Sequence, residues 1–171
     1  MQEATMMASE IDTFLQECQT ILIASVDENA VVNASYSPFI RMDSNIYIMV
    51  SHVAAHTKNL MDMPHVSVMA IEDEAKAKQL YARKRLTLDV HAVLVSRDEG
   101  DEWERAAQKL KERFGAIIET LTQMADFVIF RLEPKNGLFV KGFGKAYAFN
   151  GMETEKVQHV KKPHRALSDK V

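Results

Sequence analysis

The sequence predicts a mainly β protein with helices, an α+β chain whose strands form an antiparallel barrel with helices at its ends. Three observations carry that expectation. Short apolar segments follow one another through short turns rather than through long helical crossovers, which favours antiparallel neighbours. The longest of them, Lys84 to Ser96, alternates, with Leu86, Leu88, Val90, Ala92 and Leu94 on one face and Thr87, Asp89 and His91 on the other, as a strand with one polar face does. Gly142 and Gly144 break the last strand where a barrel corner bends or a group approaches the backbone.

The elements follow in order. Met7, Ile11, Phe14, Leu15 and Cys18 recur at helical spacing among Glu3, Glu10, Asp12 and Gln16, an amphipathic helix with one face on the body. Thr20 to Val26 reads as a strand, Asp27-Glu28-Asn29 as a turn, and Val31 to about Phe39 as its hairpin partner. Asn45 to Val50 is a third strand. Ser51 is placed to N-cap a helix from His52 to Met61, which Pro64 stops. Val66 to Ile71 is a buried strand, and Glu72-Asp73-Glu74 opens a solvated loop or helical turn. Asp98 to Phe114 is helical, with Trp103, Ala106, Ala107, Leu110 and Phe114 on its apolar side, and a second short helix runs to about Leu121. Two strands close the body, Phe127 to Leu132 and Leu138 to Phe149, joined by a turn at Pro134-Lys135-Asn136-Gly137. The 171 residues are expected to form one domain over 1–150, followed by a polar tail over 151–171 that has too little apolar surface to dock by itself.

Composition bounds the function. A formal charge of −3 produces no field that gathers nucleic acid or an anionic membrane, and no apolar run reaches the twenty or so residues of a membrane span. The single Cys18 cannot form an intrachain disulfide, and the N-terminal region lacks the pattern of a signal peptide. The expected compartment is the cytoplasm.

Several residues carry potential chemistry. His52 and His56 lie four apart, which on a helix puts both rings on one face, as two-ligand metal sites require. No third ligand accompanies them, and a structural role at a helix N-terminus is the alternative. Arg83 and Arg85 fall on one face of a strand, where two guanidinium groups can grip a carboxylate or phosphate; a solvated charge cluster is the other reading. Lys141 and Lys145 share a strand face with Phe139, Phe143 and Tyr147, a mixture suited to a flat anionic ligand or to the rim of a dimer interface. Glycine-rich phosphate loops and nucleophile motifs are absent, so a hydrolase reading has no support. In the tail, Pro163-His164-Arg165 holds a histidine that either is solvated or orders the tail by binding a metal.

Taken together, several of these segments resemble a known family. Ile23 to Asp27 with Val32 to Phe39, and Ser51 to Leu60, resemble the first hairpin and following helix of the flavin-binding split-barrel, or pyridoxamine-phosphate-oxidase-like, superfamily. Ala82-Arg83-Lys84-Arg85-Leu86-Thr87, Arg113-Phe114-Gly115, Asp126-Phe127, Gly137 to Gly144 and His164-Arg165 resemble its haem-utilisation branch, the HugZ/HutZ family of haem-degrading proteins. The resemblance implies an antiparallel split β-barrel flanked by short helices, assembled as a homodimer with haem near the interface. It implies His164 as the proximal ligand of the haem iron, Arg85 on the other side of the haem, and Asp126 interacting with the histidine across the dimer. Arg83, Lys141 and Phe143 join the expected haem-binding set. Proline precedes His164 here where the family motif has glycine, and His159 is the alternative ligand.

The implied activity is oxidative haem degradation with release of iron, haem being substrate and cofactor and the electrons coming from an external donor; iron acquisition is its purpose. Two other readings stand beside it: an FMN-binding oxidoreductase whose phosphate is gripped by Arg83 or Lys84, and a haem carrier or store that leaves the ring intact.

Overall fold

Strands that the alternation predicts are joined edge to edge into a ring in the computed structural model, which describes residues 2–151 and 153–160. The order is α1 (Gln2–Glu17), β1 (Thr20–Val26), β2 (Val32–Met42), β3 (Asn45–Ser51), α2 (Ala55–Asp62) and β4 (His65–Ile71). A single 3-10 turn (Leu80–Ala82), β5 (Arg85–Leu94), α3 (Glu102–Phe114), α4 (Ile117–Thr122), β6 (Phe127–Gly142), β7 (Lys145–Asn150) and β8 (Glu153–His159) follow. The strands hydrogen-bond antiparallel in the order β3-β2-β1-β4-β5-β6-β7-β8, and a further pairing of β3 with β6 closes the first six into a barrel. Closure removes the open edges that a sheet of six strands would otherwise expose. No helix among the described residues is long and apolar enough to cross a membrane.

Two apolar clusters divide the interior. Inside the barrel, Ile21, Ile23, Phe39, Ile48, Val68, Leu86, Leu88, Phe130 and Phe139 pack together, and α1 plugs the barrel with Met7, Ile11, Phe14 and Leu15. Outside it, α3 and α4 lay Trp103, Ala106, Ala107, Leu110 and Ile118 over Ile40, Met42, Tyr47, Met49 and Ile129. β3 is therefore buried on both faces, which is why its sequence is an unbroken apolar run rather than an alternation. Each large side chain fully removed from water contributes about 1.5–3 kcal/mol.

Where the structure departs from the sequence expectation, the reason is visible. Pro134-Lys135-Asn136-Gly137 is no turn: β6 runs unbroken through it, and the register against β5 passes from Asp89↔Asn136 to Val90↔Pro134. Lys135 is thus the extra residue of a β-bulge, a site where proline and an irregular ladder are tolerated. Its carbonyl accepts a hydrogen bond from Gly151 N at 2.7 Å. The chain reverses instead at Phe143-Gly144, with Gly144 at φ 70°, so the glycines expected to bend a barrel corner build a hairpin turn. Within the polar segment after Gly151, Glu153–His159 pairs with β7 as β8. Finally, α2 starts at Ala55, behind an uncapping Ala54, because Ser51 is drawn into β3 opposite Phe127.

Polar contacts lock the helices to this frame. The Arg113 guanidinium stacks over Phe39, 5.0 Å from the ring centroid, and donates to the carbonyls of Leu15, Gln16, Cys18 and Phe39. It thereby satisfies carbonyls that the end of α1 leaves without helical partners. Arg131 on β6 grips the Glu102 carboxylate at 2.6 and 2.7 Å, and Tyr47 on β3 donates to the same group at 2.8 Å. Burial, reinforced by that hydrogen bond, pushes the Tyr47 phenol up to about 12. Burial alone would raise the Glu102 carboxyl, but the hydrogen bonds from Arg131 and Tyr47 outweigh it and hold it below the usual carboxylate range.

Two outcomes follow. Gly137 faces the Phe149 ring so closely that a Cβ would sit 2.2 Å from its Cζ. Gly137→Ala should therefore lose about 1–3 kcal/mol in urea unfolding, and Phe149→Leu should restore much of that loss. In an alkaline titration followed by phenolate absorbance, one of the four tyrosines should titrate last, near 12, and move down in Glu102→Gln. Because the folded phenol holds its proton longer, this contribution to stability is present below the ordinary tyrosine pKa of about 10 and is lost as pH rises through the folded value. The Glu102 contribution has the opposite sense, present at neutral pH and lost on acidification.

Candidate functional site

A groove of ≈ 590 Å³ opens on the outer side of the sheet where β5, β6 and β7 end. Val140 and Ala146, a cross-strand pair, form its apolar floor. Arg85 enters from β5, directly opposite Val140 in the register. The Gly142–Lys145 turn makes one wall, Gln79 and Tyr81 another, and Val160 stands at the end of β8. This is a size and chemistry suited to a small molecule: a largely apolar concavity with a few placed polar groups. A second concavity of ≈ 570 Å³ between α1 and α3 is lined by Asp12, Arg41, Asp43, Lys109 and Glu112. There Arg41 is paired with Asp12, and none of the residues expected to bind haem lines it.

The predicted residues divide. Arg85 lines the groove and is steadied by a hydrogen bond from its Nη1 to the Arg83 carbonyl at 3.1 Å. Arg83 does not share its strand face as expected, because β5 begins only at Arg85. The Arg83 guanidinium turns back and donates through Nε, at 2.9 Å, and Nη2 to the Glu72 carbonyl. Phe143 lies on the groove wall, 70% exposed at the tip of the hairpin turn. The expected single face of Lys141, Lys145, Phe139, Phe143 and Tyr147 is likewise split. Phe139 points into the barrel and packs on Phe14 at 5.6 Å between centroids. Lys141 follows it on the same face, forms an ion pair with Glu10 of α1 and lies over the Tyr147 ring, on the side away from the groove. Lys141 is the extra residue of a second bulge, where the register passes from Val140↔Ala146 to Gly142↔Lys145, and Phe143 and Lys145 flank the turn beside the groove.

Asp126 lies at the other end of β6 from Arg85. Its carboxylate accepts from Ser51 Oγ at 2.9 Å, and its carbonyl accepts from His52 N at 2.8 Å, which fixes it beside the end of β3. Within one chain Asp126 and the groove are separate. His52 and His56 do not share a helical face, since His52 precedes α2, and no group of three or more metal-ligating side chains is assembled among the described residues. His159 packs its ring on Tyr147 at 5.0 Å between centroids, and its Nε2 donates to the Gly144 carbonyl at 3.0 Å. Pro163 and His164 lie outside the described residues. Sequence reasoning missed Gln79, Tyr81, Ala146 and Val160 as groove residues; the signal available was an amide and an aromatic, Gln79 and Tyr81, in an otherwise charged loop ahead of Arg85.

A six-stranded antiparallel barrel, flanked by helices and carrying an apolar groove at one strand end, defines a split-barrel protein. Residues 7–141 match the pyridoxamine 5'-phosphate oxidase family, and the chain belongs to that family and, within it, to the branch of HutZ. It is 46% identical over 160 residues to a Vibrio cholerae protein named heme oxygenase HutZ, covering 94% of this chain and 90% of that one. A crystal structure described as HutZ, the heme storage protein from Vibrio cholerae, superposes with a TM-score of 0.74 at 48% identity, over 80% of this chain and 95% of that one. Campylobacter jejuni ChuZ superposes with a TM-score of 0.85 at 32% identity, over 95% of this chain and 67% of the other.

Proposed function

We propose that this chain binds haem in the groove at the ends of β5–β7 and degrades it oxidatively, in the cytoplasm, with haem as both substrate and cofactor. The observation that carries the reading is the join between groove and C-terminal segment. Val160 lines the groove and is anchored by its N–H to the Ala146 carbonyl at 2.8 Å. His164 follows four residues later, within about 14 Å of extended chain. An imidazole carried by the 151–171 segment can therefore reach a ligand that lies on Val140 and Ala146. Kinship with a protein named heme oxygenase supports the same conclusion.

The groove fits a flat, largely apolar ring with anionic edges. Val140, Ala146 and Phe143 supply apolar contact, and Arg85 and Lys145 supply cations beside it. When bound, haem would supply the iron and the redox chemistry by which dioxygen and electrons from an external donor open its ring, the iron being released with the product. The protein's residues orient it. His164 would ligate the iron, and Arg85, its guanidinium held by the Arg83 carbonyl, would donate hydrogen bonds to a group bound in the groove. Asp126 would accept from the far imidazole N–H of His164, fixing its tautomer and raising its basicity. Since Asp126 and the groove lie at opposite ends of β6, that contact joins two copies, and the working unit is a homodimer. Arg83 acts through its carbonyl, and Lys141 by tying α1 to β6 through Glu10. Ligation by His159 is disfavoured because its Nε2 is engaged with Gly144.

The flavin alternative loses the phosphate grip assigned to it: the Arg83 guanidinium is turned to Glu72, and the Lys84 ammonium lies over the Phe14 ring. A carrier or store shares the same ligands, and storage is the description given to the related Vibrio structure. The two are separated by turnover.

Haemin titration of the purified protein should give a saturable Soret band that decays when ascorbate is added in air, with ferrous iron appearing in a chelator assay. A Soret band that persists under reductant supports the store, and no uptake of haemin overturns the haem reading. His164→Ala should abolish the imidazole-type spectrum. Asp126→Asn should slow ring opening by about 10- to 100-fold while haemin still binds; unchanged turnover would remove Asp126 from the site.

A further inference from the structure

Between β4 and β5 the chain makes a long excursion that is stapled at its base and wound into a 3-10 turn as it returns to that base. At the base, the Glu72 carbonyl takes both donors of Arg83, Glu72 N donates to the Lys84 carbonyl at 2.8 Å, and the Glu72 carboxylate accepts Lys84 N at 3.2 Å. Just before that base, the Gln79 side chain accepts Tyr81 N at 3.2 Å and the Gln79 carbonyl accepts Ala82 N at 3.0 Å, winding the 3-10 turn. The excursion is thus held by its own hydrogen bonds, and its 3-10 turn presents Leu80, 62% exposed, and Tyr81, 87% exposed.

Tyr81 buries almost nothing of its ring, so the fold does not need it, yet it stands on the rim of the groove next to Gln79 and Arg85. An aromatic held in water on a hydrogen-bonded turn beside an apolar floor is prepared to gain contact area when a planar ligand arrives, at little further ordering cost. We propose that Tyr81 is a positioning residue whose ring packs against the macrocycle, recognising the porphyrin plane rather than the metal. The inference rests on the haem reading and extends it to a specificity role that ligation by His164 cannot supply.

Binding of two probes, haemin and metal-free protoporphyrin IX, separates the two contributions. Tyr81→Ala should weaken both by a similar factor, about three- to tenfold, whereas Tyr81→Phe should bind both like the parent. His164→Ala should weaken haemin alone. The thermal unfolding midpoint of Tyr81→Ala should match the parent, as expected for a ring so exposed. Parent-like binding of both porphyrins by Tyr81→Ala overturns the proposal and leaves the haem reading standing. A Tyr81→Phe variant as weak as Tyr81→Ala also overturns it, since the contact would then be through the hydroxyl. A parent chain that takes up neither porphyrin overturns the haem reading and this inference together.

Discussion

Strand β6 sits at the junction of everything else, because it pairs with β3 and β5 along its first part and with β5 and β7 along its second. The pairing with β3 closes the barrel, and that closure buries Ile48, Phe130 and Leu132 inside while pressing Tyr47, Met49 and Ile129 under α3. Farther along, the bulge at Lys135 re-aims the strand, and Gly137 lets the Phe149 ring lie against its backbone. β7 can then continue the sheet past the barrel, and the groove forms where that extension begins. An ordinary side chain at 137 or a regular ladder at 135 would compromise this arrangement for steric reasons alone.

Charge is used to dock helices onto that frame. Arg113 gathers carbonyls from the end of α1 and from β2, and Arg131 with Tyr47 holds Glu102 at the start of α3. Each bond to a charged group is worth about 1.5–3 kcal/mol where both partners are shielded from water. Both arginines come from the motif-bearing half of the chain, yet their partners are structural. Arg83 belongs with them, since its guanidinium closes a loop and its carbonyl orients Arg85.

The proposed chemistry is divided between the two ends of one strand. Arg85, Phe143 and Tyr81 surround the groove at the end of β6, and Asp126, pinned by Ser51, precedes its start. On the proposed reading such a site would be complete only when two copies meet, so that assembly and catalysis would be one requirement. The acidic group that tunes the histidine would then come from a surface loop whose position is set by the β3–β6 pairing.

Much of this was legible in the chain itself. The alternation of Leu86 to Ala92, the apolar stripe of α3 and the hairpin at Asp27 are local patterns, and local sterics and burial determine them wherever they occur. The residues from Ala82 to Thr87 and from Gly137 to Gly144 likewise carry the family resemblance in the sequence itself. What the sequence alone left undecided was where the chain reverses. Pro134 to Gly137 has the composition of a turn, and only its partners β5 and β7 make it a bulge in a continuous strand. The same holds for Ser51, a helix cap by local signal but a strand residue once β6 pairs beside it. The orientation of Arg83, the placement of Lys141 and the groove wall at Tyr81 were likewise decided by tertiary structure. Residue type and spacing specify what a segment prefers locally, whereas the direction of a side chain depends on a register set by strands far away in the chain.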